Sequence, residues 1–70
     1  MNETLDERVR RLTSTSLAAS EEVQELASTC AELAASYLTG YGVAQDQVKA
    51  WEMARLFVLC DQWLAQRQTR

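Results

Sequence analysis

Seventy residues make one small domain, of a size that hides only roughly 60% of its unfolded surface and needs a staple or a partner for support. The chain has no histidine, and its two cysteines, Cys30 and Cys60, lack the spacing of a zinc site, so a partner chain is the expected support and no cofactor is expected. A net charge of -3 argues against a nucleic-acid binder, whose affinity rests on neutralising phosphates with Lys and Arg.

The amino-terminal run MNETLDERVRRL carries a basic cluster, Arg8, Arg10 and Arg11. Glu3, Asp6 and Glu7 fall in the same helical turns and pair with such arginines at short helical spacing, which reads as a solvated mixed-charge face. The functional alternative is a nucleic-acid-associated regulator that uses the three arginines, duplicated across a dimer. The run has no apolar core of the secretory kind, and no segment approaches the ~20 apolar residues of a membrane span. The expected location is the cytoplasm, with reduced thiols.

From Leu5 the chain can be stepped through Val9, Leu12, Ser16, Ala19, Val23, Leu26, Cys30, Leu33 and Tyr37 with spacings that alternate four and three, a heptad-like stripe. Its weakest members lie in TSTSLAAS, where Thr13 to Ser16 are poor helix formers, and Ser20 before Glu21 and Glu22 reads as an N-cap. Two readings stand: one long helix over about residues 3–39, or a helix pair broken near residues 14–20. The unbroken phase favours the continuous one.

The only glycines, Gly40 and Gly42, fall one residue apart in a chain without proline, and they predict a bend over residues 40–45. Asp46 is the expected N-cap of a last helix over residues 46–67. In it Ala50, Met53, Phe57, Cys60 and Leu64 should face the preceding helix, with Leu56, Leu59 and Trp63 widening the stripe, while Trp51 and Val58 lie off that face. The fold class is therefore all-α, an antiparallel helical hairpin with a long N-terminal helix.

A register argument follows from helical rise. If the bend centres near residue 42, positions whose numbers sum to roughly 85 lie level, and residue 70 stands opposite about residue 15. Leu5, Val9 and Leu12 then have no opposite number. They must fold back over the hairpin or pack on a second chain, and the second suits a chain this small, so these residues are the expected homodimer seam. The same register puts Cys30 and Cys60 out of reach of each other for a disulfide and reads both as small buried apolar residues.

The run LAASYLTGYGVAQDQVKAWEMARL resembles the Sel-one-like repeat, a relative of the tetratricopeptide repeat: Leu33, Tyr37, Gly40, Gly42, Val43, Asp46, Lys49 and Ala50 stand where that repeat has its characteristic residues. The resemblance covers about residues 27–58 and amounts to one repeat. It departs at Ala34, where a glycine is usual, at Ala44, often proline, and at Phe57 and Val58, usually alanines. It implies a structural turn built from Gly40, Gly42, Val43 and Asp46, and a role in presenting helical surfaces to other proteins.

Catalytic chemistry is not expected. No histidine is available as a base, no serine or cysteine has an evident activating partner, and no phosphate-cradling GxxxxGK loop exists. Glu21, Glu22 and Glu25 read as the acidic first turn of a helix. Tyr37 and Phe57 read as core. The expected function is that of a small adaptor, inhibitor or structural subunit, with Trp51, Leu56, Leu59 and Trp63 as partner contacts.

Overall fold

The computed structural model describes residues 2–68. Among these residues there are three helices: α1 (Leu5–Thr13), α2 (Ser20–Thr39) and α3 (Gln47–Gln68). The register position expected for residue 70 lies outside the described residues.

Helix α1 opens on a reciprocal cap. The Thr4 hydroxyl accepts the Glu7 N–H at 3.1 Å, and the Glu7 carboxylate accepts the Thr4 N–H at 2.9 Å, which satisfies two of the amide groups a helix start leaves orphaned. The helix stops at Thr13. This corrects the continuous helix favoured by the heptad phase, and the reason is local hydrogen bonding.

At the end of α1 and just beyond it, side chains take over groups that a helix would use. The Thr13 hydroxyl donates to the Val9 carbonyl, the Ser14 hydroxyl donates to the Arg11 carbonyl, and the Thr15 hydroxyl accepts the Leu17 N–H. Two main-chain carbonyls of the bend are then taken by α3: Trp63 Nε1 donates to Thr15 and the Arg67 guanidinium to Ser16. Four hydroxyl residues in a row give up little intrinsic preference by leaving the helix, and these long-range bonds decide the outcome. Helix α2 begins with Ala19 at the N-cap position, without a side-chain cap, and Ser20 is its first residue rather than its cap.

Because the chain bends there, α1 folds back on the hairpin. Val9 and Leu12 are buried in the same core as Val23, Cys30, Leu56 and Cys60, and Leu5 packs against it. The expected dimer seam is thus the third wall of the chain's own core. Burial of apolar area accounts for the choice: each buried aliphatic side chain contributes about 1.5–3 kcal/mol whichever chain covers it, and the intramolecular route needs no second copy.

At the other end, Gly40 closes α2 in the left-handed conformation, φ 77°, with its N–H bound to the Ser36 carbonyl at 2.8 Å. Gly42 has φ 81°. The chain returns with the Asp46 N–H on the Tyr37 carbonyl, 2.9 Å, and Asp46 Oδ1 then accepts the Lys49 N–H at 3.1 Å at the start of α3. Gln45 reaches back to the Leu38 carbonyl, and Val43 is half-buried against the turn. Helices α2 and α3 pack along their length as a hairpin-like pair.

Candidate protein-docking face

The three walls of the core do not run the full length of the hairpin. Helix α1 is nine residues long and covers the end built from Val23 to Cys30 of α2 and Leu56 to Trp63 of α3. Toward the bend only two helices remain, and there Leu33, Ala34, Tyr37 and Met53 are half-buried. A two-helix layer has one interface and leaves its flanks to solvent.

Helix α3 is apolar on both sides of its cylinder. Its inner side, Ala50, Leu56, Cys60 and Trp63, is buried. Its outer side carries a second stripe at three-four spacing, Val48, Trp51, Arg55 and Val58, with Ala54 beside it. Trp51 is 69% exposed, Val48 70% and Val58 48%, and Leu38 of α2, 53% exposed, extends the same surface.

Trp51 and Ala54 form a ridge between two shallow grooves. One groove lies toward α2 and is floored by Ala34, Ala35, Ala50 and Leu38; the other lies toward α1, between Val58, Leu59, Arg55 and Arg10. Both are open to solvent, and their walls are mainly hydrocarbon. The small side chains Ala34 and Ala35 of α2 keep the floor of the first groove low.

The expected contact residues divide between the two sides of α3. Trp51 stands on the open face, and Leu59 is half-buried at the edge of the α1-side groove. Leu56 and Trp63, 3% and 8% exposed, are core residues instead, so their large apolar surface is already spent within the chain. Trp63 also has its one donor bound to Thr15, and the Arg67 guanidinium lies 4.6 Å from its ring centre. Phe57, expected in the core, is at the rim with 37% exposure. Sequence reading missed Leu38, Val48, Ala54 and Arg55 as members of the face. The signal was the second three-four stripe through Trp51 and Val58.

The three arginines of α1 are each met by a carboxylate. Arg10 and Arg11 meet Asp6 and Glu3 at 2.7 Å, and Arg8 lies 3.9 Å from Glu22. The hydrogen bond from Arg11 holds the Glu3 carboxyl below its ordinary range. Lys49 sits over the Tyr37 ring at 5.6 Å. Arg55 is different: among the described residues it makes no ion pair, although Glu52 and Asp6 line the neighbouring recess.

The two thiols are free and fully buried. Burial pushes the Cys30 thiol up to about 11, with the neighbouring Cys60 adding to the shift, and burial raises Cys60 as well. Both are protonated at neutral pH, the opposite of what a nucleophile or a thiolate ligand requires. Among the described residues no three His, Cys, Asp or Glu side chains come together as a metal site, and no helix is long and apolar enough to cross a membrane.

Comparison with protein-family models, with curated proteins and with solved structures gives no match. The reading of the face therefore rests on its own geometry.

Proposed function

We propose that the chain is a non-catalytic protein–protein interaction module, a small cytoplasmic adaptor or inhibitor that binds a partner protein through the outer face of α3. The observation that carries this reading is the exposure of Trp51 on a ridge between two apolar grooves. An exposed aromatic set among Val48, Val58 and Leu38 has the make-up of an interface centre, where large aromatics anchor binding and surrounding aliphatics exclude water. A helix apolar on both sides is ordinarily covered on both sides.

The resemblance to a Sel-one-like repeat supports the same reading, because repeats of that type stack on neighbours and a single one has a face to cover. The acidic balance and the pairing of Arg8, Arg10 and Arg11 with carboxylates weigh against the nucleic-acid alternative.

The test is site-specific photo-crosslinking in the source cell. A crosslinking residue placed at Val48 or Val58 should yield a discrete protein adduct that disappears when Trp51 is changed to Ala. The same residue placed at Gln24, on the polar side of α2, should yield none. Equal adducts from both positions would sink the proposal.

A further inference from the structure

The outer face of α3 also carries a cation that makes no ion pair among the described residues, although Glu52 and Asp6 line the recess on its other side. Arg55 lies one turn after Trp51, on the same side of the helix, and lines the α1-side groove with Val58 and Leu59. Arg10, at the edge of that groove, is held by Asp6, whereas Arg55 has no ion pair among the described residues. An interface core is normally depleted of charge, so an arginine within an apolar stripe calls for an opposite charge from whatever covers it. Arginine suits this position because its planar fork takes a carboxylate through two parallel hydrogen bonds.

We propose that the partner segment is an amphipathic α-helix that lies along α3, fills the grooves on either side of Trp51 with large apolar side chains, and places a carboxylate on Arg55. This deepens the interaction-module reading and rests on it. The face is a helical ridge with no free strand edge beside it among the described residues, so the packing available is ridge into groove, helix against helix. From Val48 to Val58 the stripe runs about 15 Å, which matches about three turns of a partner helix with apolar residues at i, i+3 or i+4, and i+7.

A second copy of the chain is a poorer occupant on two counts. Pairing α3 with itself about a twofold axis near the middle of the stripe sets Arg55 opposite Trp51, so the arginine still meets no carboxylate. Turning the acidic side of α2 toward Arg55 instead would offer Glu21, Gln24, Glu25, Ser28 and Thr29, a polar surface with nothing large and apolar to cover Trp51.

The experiment is selection of binders from a displayed library of helical peptides about four turns long. The full chain is the bait, and the selected peptides are measured against wild type, Trp51→Ala and Arg55→Glu, with circular dichroism of each variant to establish that it folds. Molar mass by light scattering is recorded for each protein alone. The expected peptides carry an apolar stripe and an Asp or Glu. Their binding should disappear in Trp51→Ala and weaken at least about tenfold in Arg55→Glu. A peptide with Lys in place of the carboxylate should bind the Arg55→Glu variant better than wild type. Peptides that need Trp51 but carry no acid, and are indifferent to Arg55→Glu, would overturn this inference and leave the interaction module standing. A wild-type dimer that Trp51→Ala turns into a monomer would assign the face to a second copy and overturn it too. A monomer that selects no peptide through Trp51 would overturn both.

Discussion

The indole N–H of Trp63 donates to the main-chain carbonyl of Thr15 across 2.9 Å, joining the last turns of α3 to the bend that follows α1. Together with the bond from Arg67 to Ser16 it fixes where the amino-terminal helix turns back, and it gives the buried indole its partner. Trp63→Phe should keep one aromatic ring in the core but lose the bond and part of the indole volume, at about 1–3 kcal/mol, and Trp63→Ala should cost about 3–5 kcal/mol through the larger cavity it leaves. Urea unfolding followed by circular dichroism reads both values. A Trp63→Phe variant as stable as wild type would show that the bend is set by the hydroxyl residues alone.

Trp51 provides the contrast. It is mostly exposed, so Trp51→Ala should change stability by less than about 0.5 kcal/mol while abolishing partner capture. Fluorescence separates the two indoles without a partner. In Trp63→Phe the remaining Trp51 should emit far to the red and be quenched readily by acrylamide. In Trp51→Phe the remaining Trp63 should be shielded, and equal quenching in the two proteins would contradict the assignment of inner and outer faces.

Much of this fold was legible in the sequence, and the failures have a common cause. The hairpin, its bend and the Asp46 cap follow from local chemistry, since only glycine holds a φ near 80° cheaply and a carboxylate next to free amides is a helix start. The break after Thr13 was ambiguous, because the heptad phase runs through Ser16 and Ala19 undisturbed. What resolved it, the bonds from Trp63 and Arg67 to Thr15 and Ser16, comes from 48 and 51 residues away. The same distance explains why Leu56 and Trp63 were mistaken for contact residues. Without knowing that α1 folds back, the wide apolar side of α3 looks uncovered. Trp51 was placed rightly off the hairpin face because that judgement needed only helical periodicity.

The bend itself makes a graded prediction. Both glycines have positive φ, but a β-carbon on Gly40 would lie 3.3 Å from the Gln45 β-carbon, whereas one on Gly42 meets nothing within 4 Å. Gly42→Ala should therefore cost only the conformational strain, about 1–2 kcal/mol. Gly40→Ala should cost more, with loss of the turn contact added. Thermal unfolding of the two variants ranks them, and the reverse order would place the critical turn position at residue 42.

The buried thiols link stability to alkaline pH, with a sign that follows from the direction of their shifts. Burial makes the thiolate costly in the folded state, so the folded pKa of Cys30 lies near 11, above the ordinary value near 9. Below about pH 9 both states keep the proton and no stability is lost. As the pH rises from about 9 toward 11 the unfolded chain releases protons that the folded chain retains, which favours unfolding progressively. Cys60 shifts in the same direction and should add to the loss. Urea midpoints measured between pH 7 and 11, expressed relative to a Cys30→Ala, Cys60→Ala double variant, should fall more steeply for the wild type. Thiol titration with a disulfide reagent gives an independent reading: both cysteines should react slowly in the native protein at pH 8 and quickly in urea. Fast reaction of either thiol in the folded state would mean that α1 does not keep the core closed.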